Sequence, residues 1–244
     1  MKLHAFILTN LIALGLSLTS CAQNERPYNT DDFQVTKATV THHSDLSVTV
    51  WEIQVKGTAG KTVPTPNGAL DGAPVLGYVF PTSLKPTDVG FSMTEGIVAL
   101  ALTSHPDFDD TPLWDEDMDG NPKNADEGII WHPHWVVLHE DKRVPGGLAV
   151  KQFTKAENVT LPPTNPGMPM YMDSPGFPTT TKSNTINVVV ADYRINNQIT
   201  FNYDGVAAYM IVNTSKEDIP MLGVYDVYSV ASGDLSLPYT VNKK

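Results

Sequence analysis

Where apolar and polar positions along this chain show any order, the period is two rather than 3.6. Leu46, Val48 and Val50 alternate with Ser47 and Thr49; Trp51, Ile53 and Val55 then take the other parity. Such a switch predicts a bulge or a strand covered on both faces. Further short apolar runs cover 76–80, 97–103, 129–138, 148–153, 186–191, 198–203, 206–212, 221–230 and 235–241. Asn196-Asn197 and Asp204-Gly205 separate neighbouring runs with residues that tolerate positive φ, as type I′ turns require. They predict a three-strand antiparallel meander over 186–213. No stretch of ten or more residues carries an apolar stripe at i, i+3, i+4, i+7. The best helical start, Thr214-Ser215-Lys216-Glu217, is a capping-box pattern cut short at Pro220. About ten short strands with turns between them predict an all-β fold, an antiparallel β-sandwich or partly open barrel.

Two long loops interrupt this scheme, at about 105–128 and 154–185. The first holds nine of the 27 acidic residues, and the second is rich in Pro, Thr and Asn. Loops this long inside a compact domain are uncommon and often functional. The 19 prolines among 244 residues reinforce strands and loops over long helices. The net charge of −11 argues against a nucleic-acid partner, because phosphate binding wants clustered Lys and Arg.

The N-terminus adds a location. Lys2 is followed by a largely apolar stretch from Phe6 to Leu18, too short for a comfortable bilayer span. It ends Leu18-Thr19-Ser20-Cys21, which resembles a bacterial lipobox. The resemblance implies a signal peptide over 1–20, lipidation of Cys21 and a tether over 21–32. One β domain over 33–244 follows. The membrane partner is then the lipid anchor. Ala22 after the cysteine resembles the sorting signal for the outer membrane, which places the chain in the bacterial cell envelope, facing the periplasm or the surface. Cys21 is the sole cysteine, so no disulfide forms within the chain.

Residues 115–126 place Asp115, Asp117 and Asp119 at alternate positions, then Gly120, with Asn121 next and Asp126 at the twelfth position. This resembles the EF-hand calcium loop, in which alternating carboxylates converge on one ion and the glycine allows the turn. The resemblance implies calcium on Asp115, Asp117, Asp119, Asn121 and Asp126. Asp126 is one methylene shorter than the family's glutamate, and Lys123 puts a cation at the ninth position, which implies modest affinity.

Four of the seven histidines, His105, His132, His134 and His139, lie in or beside the acidic loop. On a strand, His132 and His134 share one face. Antiparallel pairing of 97–105 with 129–140 across the loop would bring His105 to them. Three imidazoles plus an open position form a zinc or copper arrangement able to activate water. The competing reading is strand histidines packed between Trp131 and Trp135 and bonded to loop acids. His132-Pro133-His134-Trp135 is faintly similar to the zinc strand of α-type carbonic anhydrases, and the run from His132 to Glu140 to the first cupin motif. The later histidine each family needs is absent here. His42-His43 points to opposite strand faces and reads as a surface pair.

Met168, Met170 and Met172 would share one face if extended. Their soft thioethers either select Cu(I) or fill space under the Pro-rich loop. No Gly-x-Ser-x-Gly elbow, phosphate loop or dinucleotide fingerprint is present. The sequence therefore predicts an exported, lipid-anchored metal-binding or metal-handling protein. The alternatives are a metal-dependent enzyme, hydrolytic or copper-redox, and a structural or glycan-binding module with architectural calcium.

Overall fold

The computed structural model describes residues 27–110 and 130–244. Cys21 and the calcium-loop residues Asp115, Asp117, Asp119, Asn121 and Asp126 lie outside the described residues. Among the described residues the chain is all-β, and its strands form two principal sheets. The first runs β14(Asn242–Lys243)-β1(Val35–His43)-β2(Val48–Val55)-β9(Thr185–Ala191)-β8(Thr179–Lys182). The second runs β4(Ile97–Ser104)-β3(Pro74–Pro81)-β11(Val206–Val212)-β12(Leu222–Val230)-β6(Leu148–Val150)-β5(His132–Glu140)-β7(Met172–Asp173). Because β4 also pairs with β5, six strands of the second sheet close into an antiparallel barrel. A small pair, β10(Asn202–Tyr203) and β13(Tyr239–Thr240), lies beside them.

Closure explains why the barrel strands read as unbroken apolar runs: they are buried on both faces. On β4, Val98, Leu100 and Leu102 face outward into the core shared with the first sheet, while Ala99 and Ala101 face the lumen. On β3, Leu76, Tyr78 and Phe80 point outward and Val75 and Val79 inward. On β5, Trp135 and Val137 point outward and Val136 and Leu138 inward. Small lumen residues suit the narrow interior of a small barrel. Gly77 belongs to this set, since a Cβ there would stand 2.7 Å from Met210 Cε. Register shifts between β11 and β12, at Ala207/Ala208 and Tyr209/Met210, bend the pair as closure needs.

The outer core is aromatic. Trp51 on β2 meets Trp135 edge-on at 5.8 Å and stacks on Phe201 at 5.2 Å. It is fully buried, and truncating so large a side chain costs about 3–5 kcal/mol.

Several local expectations are corrected. β2 keeps one parity throughout, with Thr49, Trp51, Ile53 and Val55 inward and no bulge, while Leu46 is exposed. The irregularity falls on β1, between Val35 and Lys37. The predicted meander is absent: β9 pairs with β2 and β8, whereas β11 pairs with β3 and β12. Asn196 and Asn197 do adopt positive φ, but they end a 3-10 turn over Asp192–Ile195 rather than a hairpin. Asp204-Gly205 carries the chain from one sheet to the other. The Asp204 carboxylate, buried, accepts from the Gly205 and Ser232 N–H groups. Residues 214–219 form no helix; the Thr214 and Ser215 N–H groups donate to Asp71 instead. Residues 27–32, part of the 21–32 segment expected as a tether, are docked: Tyr228 Oη donates to the Pro27 carbonyl, and the Asp32 carboxylate accepts from Thr58 N–H.

Candidate metal centre

The alternation that turns Val136 and Leu138 into the lumen turns His132 and His134 the same way. β4 and β5 are antiparallel, with Thr103 opposite His132 and Ala101 opposite His134. The small Ala101 leaves room for the ring beside it. His105 follows directly after β4, so the chain returns it to the same end of the lumen. Three residues of one sheet thus converge at one mouth of the barrel. Asp110, five residues beyond His105, closes the group.

The ligand atoms of His105, Asp110, His132 and His134 all lie within 4.8 Å of one another, a grouping that can hold a metal ion. His105 Nε2 and His132 Nε2 are 3.0 Å apart. Asp110 Oδ1 stands 3.2 Å from His105 Nε2, 3.0 Å from His132 Nε2 and 3.5 Å from His134 Nε2. Donors at about 2.0–2.1 Å from a tetrahedral ion stand roughly 3.3 Å apart, so the spacing matches. All four side chains are buried.

The opposite ring nitrogens assign the protons. His105 Nδ1 faces the Phe108 carbonyl at 2.9 Å, and His132 Nδ1 faces the Ile130 carbonyl at 2.6 Å. His134 Nδ1 faces the Asp173 carbonyl at 3.2 Å and Ser174 Oγ at 2.9 Å. A carbonyl oxygen only accepts, so an Nδ1 that faces one is placed to donate, and a ring in its neutral form then turns the Nε2 lone pair toward the centre. This is the pattern of metal-ligating histidine, whose other nitrogen is fixed by a backbone or side-chain partner. Phe108 stacks on His105 at 3.9 Å with the rings parallel within 1°, fixing that ring further.

Burial drives the His134 imidazole down to about 3, and the Asp110 carboxylate offsets only part of that. At Asp110, burial works against ionisation, but the facing imidazoles, in the forms that carry charge or donate from Nε2, outweigh it and hold the carboxyl well below its usual range. Near neutral pH the centre therefore combines a neutral His134 with an anionic Asp110, the forms in which these groups ligate metals.

The other sequence candidates fall elsewhere. His42 is buried rather than on the surface, with Nε2 2.9 Å from Asp192 Oδ2. His139 faces Asp141 at 3.9 Å at the far end of β5. Asp107 accepts from the Asn67 and Gly68 N–H groups and so anchors the start of the acidic loop. Asp110 escapes sequence reasoning as a ligand because it is one acid among nine with no spacing to single it out. Its place five residues after His105 is the one signal the sequence carries for it.

No protein-family model, curated protein or solved structure matches this chain.

Proposed function

We propose that this chain is an exported, lipid-anchored protein that holds one transition-metal ion, zinc or copper, on His105, Asp110, His132 and His134. The observation that carries the reading is the convergence of three Nε2 atoms on one carboxylate oxygen, with every Nδ1 turned outward to a backbone carbonyl. Four buried acceptors at 3.0–3.5 Å repel one another unless a cation, or protons, stands between them. Imidazole and carboxylate together suit zinc, and imidazole also suits copper. Four protein donors leave no position for water, which favours binding over hydrolysis.

Asp110 favours a second reading, a metal-dependent enzyme. It sits on the loop after β4, whereas two of the histidines stand on β5 and the third directly follows β4. Replacing Asp110 by water would leave three imidazoles and an open position. In either reading calcium on Asp115, Asp117, Asp119, Asn121 and Asp126 orders the acidic loop, and the Cys21 lipid holds the chain at the membrane.

Elemental analysis of protein purified without added metal tests this function. The expected result is about one zinc or copper per chain in the wild type and a small fraction of that in His132→Ala. Calcium alone, with no uptake of added zinc or copper, would return the chain to a structural module. Turnover of a model ester that rises in Asp110→Ala would favour the enzyme.

A further inference from the structure

Beside the histidine centre, on the lumen side, lies a cavity of about 20 Å³. Met168, Met170 and Met172 line it together with His105, His134 and Asp110; apart from Thr103, its remaining walls are apolar. These are the three methionines of the Pro-rich loop. Their backbone is fixed. The Met170 N–H donates to the Met168 carbonyl at 2.7 Å and the Met172 N–H to the Met170 carbonyl at 2.8 Å. Met170 bridges to Gln152, and Met172 pairs with Val136 on β5. Asn165 Nδ2 donates to the Met172 carbonyl at 2.8 Å. Thr164 Oγ1 donates to Asp173 Oδ1 at 2.7 Å, and the adjoining Ser174 and Asp173 hold His134. The loop that orients His134 thus also places three methionines around the same cavity.

We infer that Met168, Met170 and Met172 form a second, soft metal subsite that takes Cu(I) next to the His/Asp centre. Three neutral thioethers cannot offset a divalent charge in a buried apolar cavity. A monovalent cation needs less compensation than a divalent one. Thioether sulfur is the protein donor that prefers Cu(I) over the harder ions an imidazole–carboxylate set accepts. A hole of about 20 Å³ exceeds the roughly 10–15 Å³ that one water needs, so it accommodates one ion and no bulky ligand. Leucine would fill the same space without offering sulfur. The inference deepens the metal-binding reading by assigning copper handling to this end of the barrel, although the subsite uses different donors from the centre.

The test is an anaerobic titration of the wild-type protein with Cu(I) against a bicinchoninate competitor, with Ag(I) as a redox-inert check. The wild type is expected to withdraw one Cu(I) per chain. The triple variant M168L/M170L/M172L is close in volume, and such swaps are usually tolerated. It should lose at least tenfold in Cu(I) affinity while its zinc stoichiometry stays unchanged. His132→Ala should lose zinc and keep Cu(I). Copper-edge X-ray absorption on the wild-type Cu(I) complex gives a reading that does not depend on a variant folding, and sulfur neighbours are expected. A triple variant that binds Cu(I) as tightly as wild type overturns the subsite, as does a copper spectrum with nitrogen and oxygen neighbours only. If neither zinc nor Cu(II) binds while Cu(I) binds through sulfur, the histidine reading fails and the methionine subsite stands.

Discussion

At the scale of single residues, the second layer around the histidines decides how firmly a metal is held. Ser174 Oγ lies 2.9 Å from His134 Nδ1 and helps fix the tautomer that points Nε2 inward. Removing such a partner typically costs 10–100-fold in metal affinity. Ser174→Ala should therefore weaken zinc binding about tenfold while leaving the stoichiometry at one, as read by titration against a chromophoric chelator. Unchanged affinity would show that the Asp173 carbonyl suffices alone. A separate residue pair sets a pH dependence. The Arg143 guanidinium donates to both carboxylate oxygens of buried Asp141, at 2.9 and 2.6 Å, and holds its carboxyl below the ordinary range. A carboxylate depressed in the folded state stabilises it above the unfolded pKa, and that contribution is lost as pH falls through the folded pKa. Asp141→Asn should lower stability near neutral pH by about 0.5–1 kcal/mol, given that Arg143 is half exposed to solvent. The gap between variant and wild type should close on acidification below the usual carboxylate range. A thermal-melt difference that persists in strong acid would contradict this linkage.

At the scale of elements, the pairing of β4 with β5 closes the barrel and builds the site in the same step. Both strands are legible in the sequence as apolar runs, and their adjacency follows from their order along the chain. Three of the four residues of the cluster can therefore be named from the sequence alone. The wall of the barrel is not legible there. A strand buried on both faces loses its polar–apolar alternation, so parity cannot tell lumen from outer core. Asn196-Asn197 does mark a place of positive φ, whereas at Asp204-Gly205 the chain runs on antiparallel to 79–82 without reversing; such pairs do not specify which sheet the chain enters next. Asp204 decides that by capping Ser232 rather than closing a hairpin. Just before β4, Gly96 adopts φ +141°, and a Cβ there would meet the Leu138 carbonyl oxygen of β5 at 2.6 Å. Backbone cannot yield as a flexible side chain does. Gly96→Ala should destabilise the fold by about 1–3 kcal/mol, measured by urea unfolding, and should loosen metal binding because it disturbs the β4–β5 register. Wild-type stability in this variant would mean that the strand end adjusts freely.

At the scale of the whole molecule, the first sheet packs on one side of the barrel over an aromatic core, and the His/Asp cluster sits at the barrel's end. A ligand that binds only the folded state adds stability by mass action, about 2.7 kcal/mol when present at a hundred times its dissociation constant. For a domain of this size, each kcal/mol moves Tm by roughly 2–4 °C. Saturating zinc should therefore raise Tm of chelator-treated protein by roughly 5–11 °C, and His134→Ala should abolish the rise. An equal rise in that variant would place the stabilising ion elsewhere, with the acidic loop the first place to look. The central claim concerns what surrounds the ion. The measurement that tests it most directly is X-ray absorption at the edge of the zinc or copper bound by the wild-type protein. The account predicts a shell of three imidazole nitrogens and one carboxylate oxygen at about 2.0–2.1 Å, with the outer-shell scattering of imidazole rings. A shell of oxygens alone, or one without imidazole scattering, would contradict it.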